Sequence, residues 1–116
     1  MIDWQKYNDT FQWYGEAVEI ELIEVFQGEF ESRMAKIATN VAERDYEQLR
    51  FNVHSLKGTV ANYHDPVPVE LAKEMEQLAK QEVDTGLEDL LARLTTASVQ
   101  LLEELLQHRA KLLAAK

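Results

Sequence analysis

The chain has 116 residues, 46% hydrophobic and 28% charged, enough for one domain with a real core and unlike the composition of a disordered segment. Its 12 Lys and Arg stand against 21 Asp and Glu, and the formal charge of -9 repels nucleic-acid phosphates and anionic lipid headgroups, so neither is an expected partner. The absence of cysteine excludes a disulfide framework, a thiolate nucleophile and a sulfur-ligated metal; with no signal-like start and no bilayer-length apolar run, a cytoplasmic protein is expected.

Glycine occurs only at 15, 28, 58 and 86 and proline only at 66 and 68, while apolar residues recur at helical spacing. A first helix is predicted over 4–14, with Trp4, Tyr7, Phe11 and Tyr14 on one face, Asp3 as N-cap and Ile2 stapled to Tyr7. The second, over 17–43, carries Leu22, Phe26, Phe30, Met34, Ile37 and Val41 on a stripe and continues through Gly28 at a cost of about 1 kcal/mol. Asp45, followed by Gln48, opens a third over 46–63 with Leu49, Val53, Leu56, Val60 and Tyr63 as its seam. The fourth, over 68–82, has Pro68 in its first turn and buries Leu71, Met75 and Leu78. Thr85 and Glu88 form a capping box for a fifth over 86–114, which carries Leu87, Leu91, Leu94, Leu101, Leu105 and Leu112. Four long amphipathic helices with short connections predict a single all-α domain over 1–116, an antiparallel up-down four-helix bundle whose short additional N-terminal helix caps one end.

The candidate chemistry lies in the third helix. With Val53 and Leu56 inward, His54 sits about 100° from Val53 on the flank of the stripe, its ring open to solvent. Arg50, His54, Lys57 and Ala61 form one row at spacings of four, three and four. Gly58, one turn beyond the histidine, costs about 1 kcal/mol against Ala in a helix interior, and its missing side chain leaves room for another protein to approach the ring. Two flanking cations would keep the imidazole neutral and nucleophilic, and Lys57 could neutralise phosphoryl oxygens. His64, past a helix end, and His108, near the end of the last helix, read as structural. Arg50 could equally meet a partner or pair with Glu47 or Glu43, and Lys73, Gln77 and Lys80 form a polar row on the fourth helix, near the site if the packing is as supposed, that reads as a solvent face. A di-metal bundle needs a Glu three residues before a histidine on each of two helices, and neither His54, His64 nor His108 has one. A structural role through the leucine seam of the fifth helix would leave Gly58 unexplained.

His54-Ser55-Leu56-Lys57-Gly58 resembles the His-x-Leu-Lys-Gly signature of histidine phosphotransfer (HPt) domains. Leu22 to Tyr63 is similar in length and pattern to that family's second and third helices, and Leu71, Ala72, Met75 and Leu78 to its fourth. The chain departs from the family at Asn62-Tyr63-His64-Asp65, where a glycine is usual. The resemblance implies a phosphorelay intermediate of two-component signalling that accepts a phosphoryl group on His54 from a receiver-domain aspartyl phosphate and passes it to another receiver aspartate. Lys57 would support the phosphoryl charge, Gly58 would allow close docking, and Arg50, Ser55 and Ala61 would complete the docking surface. The partners implied are the receiver domains of response regulators and hybrid sensor kinases, bound by a monomer. Mg2+ would belong to the receiver, with no cofactor, metal or kinase activity in this chain. The alternative is an HPt-like bundle that binds receivers without transferring.

Overall fold

The computed structural model describes residues 1–115, whose regular structure is entirely helical: α1 (Trp4–Phe11), α2 (Glu16–Glu43), α3 (Tyr46–Ala61), α4 (Pro66–Lys80) and α5 (Leu87–Ala114). The Asp3 side chain accepts the Lys6 N–H and caps α1, and Ile2 and Tyr7 are both buried in the core. α1 ends at Phe11, three residues short of the predicted 14, and Tyr14 is exposed. The chain reverses here through Gly15 at φ 80, a conformation that glycine adopts without a Cβ clash. α2 then runs unbroken through Gly28 to Glu43, where Arg44 turns left-handed at φ 56 and Asp45 caps α3 by accepting the Gln48 N–H.

Two helix starts differ from the sequence expectation. α4 begins at Pro66, because Asp65 accepts the Val67 N–H as its N-cap; both Pro66 and Pro68 then fall in the first turn, whose N–H groups have no intrahelical acceptor. Its end is Lys80, two residues before the predicted 82. The Thr85–Glu88 capping box does not form: Gly86, at φ 87, precedes α5 without a side-chain cap, and Glu88 reaches back to pair with Arg44 at 3.3 Å.

α2 packs on α3 and α5, and α4 packs on the same two helices, so the four longer helices close around a shared core. Tyr7, Ile23, Phe26, Ile37, Leu49, Leu56, Met75, Leu94 and Leu101 are its sealed centre. The inward stripe of α2 is Ile20, Ile23, Phe26, Phe30, Met34, Ile37 and Val41. Leu22, expected in it, lies one residue from Ile23 and is 39% exposed. Leu78 and Leu91 are only half-buried, packed on the rim of the core, and Leu112 is also half-buried. Leu56, with no exposed surface, anchors α3 on the core. Leu56→Ala is expected to lower the unfolding free energy by about 2–5 kcal/mol, read by chemical denaturation.

Polar contacts, as well as apolar ones, hold α1 in place. Glu19, 7% exposed, accepts the Tyr7 hydroxyl at 2.6 Å and contacts His108 Nε2 at 2.7 Å with the same oxygen. Burial first, and then the hydrogen bond to Glu19, pushes the Tyr7 phenol well above its ordinary range. Trp4 packs on the His108 ring at 4.8 Å between centroids. His64, at φ 59, accepts the Asp3 N–H on its carbonyl at 2.8 Å, and its ring meets the Thr10 hydroxyl at 2.7 Å. Both histidines thus act as fasteners of α1. Glu19→Ala would strip the Tyr7 hydroxyl of its acceptor, and the expected loss of stability, about 1–3 kcal/mol, is measurable in the same denaturation series.

Candidate functional site

α3 is anchored by Val53 and Leu56, neither of which has exposed surface, and this fixes the phase of the residues between and beside them. The His54 side chain stands out at 67% exposure. Arg50, Ser55, Gly58 and Ala61 are exposed and Lys57 is half-buried, so the predicted row is present on one face of one helix. A Cβ built on Gly58 meets nothing within 4 Å, which removes helix packing as the reason for glycine at that position.

The main contributor from another element is Glu76 of α4. Its Oε2 lies 2.7 Å from His54 Nδ1, while Lys57 Nζ donates to its Oε1. Sequence reasoning missed this residue. The usable signal was phase: Glu76 follows the buried Met75 as His54 follows the buried Val53, so each sits on the flank of its own seam. Of the row considered instead, Lys73 and Gln77 line a groove with Leu78 and with Leu90 of α5, and neither lines the groove that contains His54.

Glu76 also changes the electrostatic expectation. The charge nearest the ring is a carboxylate, and Lys57 is already paired with it, so the imidazole does not sit between two unopposed cations. Partial burial alone would raise the Glu76 carboxyl, but hydrogen bonds from Lys57 and His54 outweigh it and hold the group below its ordinary range. A neutral imidazole has a single N–H, and the short Nδ1 contact to a carboxylate assigns that proton to Nδ1. Nε2 then carries the free lone pair.

Two shallow grooves flank the histidine. One, of about 380 Å³, is lined by Glu47, Arg50, Phe51, His54 and Glu76. The other, of about 410 Å³, lies between α2 and α3 and includes Gly28, Ser32, Arg33, Phe51 and Ser55. Arg33 Nη1 donates to Ser55 Oγ at 3.2 Å across it. Phe51, 69% exposed, is the wall the two grooves share. Among the described residues no three His, Asp or Glu side chains are arranged to hold a metal ion.

A family model described as the Hpt domain matches residues 21–114. The chain belongs to the Hpt domain family. The match takes in most of α2 and all of α3, α4 and α5, with α1 ahead of it. Membership implies a phosphotransfer role in two-component signalling, and Hpt domains are phosphocarriers that interact with receiver domains. Comparison with curated proteins gives no match, and comparison with solved structures gives none. Among the described residues no helix is long and apolar enough to cross a membrane.

Proposed function

We propose that this Hpt domain is a cytoplasmic phosphorelay intermediate, an antiparallel up-down four-helix bundle that takes a phosphoryl group on His54 from a receiver aspartyl phosphate and hands it to the aspartate of another receiver. The single observation that carries this reading is the exposed His54 ring with Nδ1 held by Glu76. In the forward step Nε2 attacks phosphorus, an N–P bond forms as the O–P bond breaks, and the receiver aspartate leaves as a carboxylate. The positive charge the new bond gives the ring is balanced at Nδ1–H by Glu76. Transfer onward is the same exchange in reverse. Lys57, already beside the ring, supports the charge on the phosphoryl oxygens as it forms and leaves. Mg2+ enters with the receiver, and the chain has no kinase chemistry or cofactor of its own. It works as a monomer, with Arg50, Ser55, Gly58 and Ala61 as the surface around the acceptor.

The test is to incubate the protein with a receiver domain carrying labelled aspartyl phosphate. The expected product is a label lost in acid and retained in base, as a phosphoramidate requires. A label with the stability of an acyl phosphate or phosphoserine overturns the assignment.

Gly58 provides a second, steric test. Since a methyl group there meets nothing, Gly58→Ala should stabilise the domain by up to about 1 kcal/mol in thermal melting. Gly58→Gln should melt like the wild type yet transfer at least tenfold more slowly, because its side chain enters the space through which the receiver approaches. Wild-type transfer by Gly58→Gln would mean that close approach is not the reason for glycine.

A further inference from the structure

The wall of the groove that contains His54 carries three charged side chains, Glu47, Arg50 and Glu76, together with Phe51. Lys57 is not part of that wall, and its ammonium is engaged by Glu76, which stays ionised because its carboxyl lies below the ordinary range. The Lys57–Glu76 pair has no net charge, so whatever Lys57 lends to a phosphoryl group is shared with that carboxylate. The bonds that leave an imidazole ring at its two nitrogens also diverge. A group bonded at Nε2 therefore projects away from Nδ1 and from the Glu76 oxygen beside it.

Arg50 stands differently. It is exposed, four residues before His54 on the same face of α3, within side-chain reach of what the ring carries. Of the five arginines in the chain, Arg33, Arg44, Arg93 and Arg109 are each held by a carboxylate. Among the described residues Arg50 has no ion-pair partner, although Glu47 is three residues away and lines the same groove. Lys80 is also without an ion pair among those residues. It lies in the last turn of α4, where the unpaired carbonyls favour a cation, and it is not in the groove wall.

A phosphoryl group on His54 brings about two negative charges to a groove that already has two carboxylates in its wall. With Lys57 and Glu76 cancelling, the positive ring offsets one of those charges, and the other is left beside Glu47. A guanidinium is a planar fork of donors that spans two phosphoryl oxygens at once, a geometry an ammonium lacks. We infer that Arg50 binds the phosphoryl group once it is on His54, two of its N–H groups donating to phosphoryl oxygens while Lys57 steadies Glu76 at Nδ1. This rests on the reading of His54 as the acceptor. It gives Arg50 contact with the transferred group itself, where a place in the docking surface needs contact only with the receiver.

The experiment compares Arg50→Gln and Arg50→Lys with Lys80→Gln, which removes an unpaired positive charge outside the groove. Each protein is labelled from phosphoramidate, a small donor that needs no docking: Nε2 attacks phosphorus, its N–P bond forms as the donor's own N–P bond breaks, and ammonia leaves. Each is also brought to equilibrium with receiver domains encoded in the same genome, charged with acetyl phosphate and then freed of it. A docking contact is absent once the two proteins separate, so its removal slows transfer in both directions without moving the final distribution of label. Arg50→Gln is expected to take label from phosphoramidate about tenfold more slowly, and to hold about fivefold less of it against a receiver at equilibrium. Arg50→Lys should fall between Arg50→Gln and the wild type, Lys80→Gln should match the wild type, and all should melt together, since these side chains are exposed. Wild-type labelling and an unmoved distribution in Arg50→Gln overturn the inference while leaving His54 as acceptor; slower transfer from the receiver alone would then make Arg50 a docking residue. An equal loss in Lys80→Gln overturns it in favour of the general field of the surface. A wild type that takes no label from phosphoramidate or any receiver removes the reading beneath it as well.

Discussion

His54→Gln is expected to abolish phosphoryl acceptance from both phosphoramidate and a charged receiver, a complete loss of transfer, while the protein unfolds within about 1 kcal/mol of the wild type. The two halves of that result have separate causes. Glutamine offers no nitrogen lone pair that can form the N–P bond, so no slow residual route remains at this position. The side chain is 67% exposed and lies outside the core that Val53 and Leu56 enter, so its replacement opens no cavity. What is lost structurally is one contact to Glu76, and that carboxylate keeps Lys57. Labelling and thermal melting on the same preparation check both halves. Undiminished labelling of His54→Gln would move the acceptor elsewhere, and collapse of the fold would make His54 a structural residue.

The second large effect is expected at Glu76, which acts as a positioning residue through the ring. Glu76→Ala removes the acceptor that holds the proton on Nδ1 and orients the imidazole, and transfer should fall about a hundredfold, as for a misplaced reacting atom. Glu76→Gln keeps an oxygen that can accept from Nδ1 but loses the charge that balances the phosphorylated ring, so it should fall between the two. A merely structural Glu76 would lower melting temperature in both variants without this ordering in rate.

The pH dependence of stability follows from the depressed carboxyl. A carboxyl that is lower in the folded protein than in the unfolded chain stabilises the fold above its unfolded value, and that contribution disappears as pH falls through the folded value. The melting deficit of Glu76→Gln should therefore be present at about pH 7 and shrink as pH falls below the ordinary carboxylate range and the wild-type carboxylate takes up its proton. A deficit that persists in acid would assign the effect to packing.

The local pattern around α3 was legible because it depends on phase within one helix. Once Val53 and Leu56 face inward, the geometry of 3.6 residues per turn puts His54 on the flank and leaves Gly58 in the open, and the Asp45 cap is equally local. The α1 terminus was harder to read, since Tyr14 fits the helical spacing and only the reversal at Gly15 takes it out. Leu22 shows a different limit. An apolar residue next to an inward one can belong to the core or to a surface on which something docks, and spacing alone does not distinguish them.

The sequence by itself determined that this chain is helical, where most of its core residues lie, and that His54 stands exposed beside Lys57 and Gly58. Only the tertiary structure brought Glu76, 22 residues away in the chain, onto both His54 and Lys57, and joined Glu19 of α2 to Tyr7 of α1 and His108 of α5. The physical reason is the range over which each pattern acts. Helix phase is a property of neighbouring residues, but which flank of α4 meets which flank of α3 depends on how the buried side chains of all the helices interlock, and a carboxylate on that flank looks like any other solvated charge until its partner is beside it.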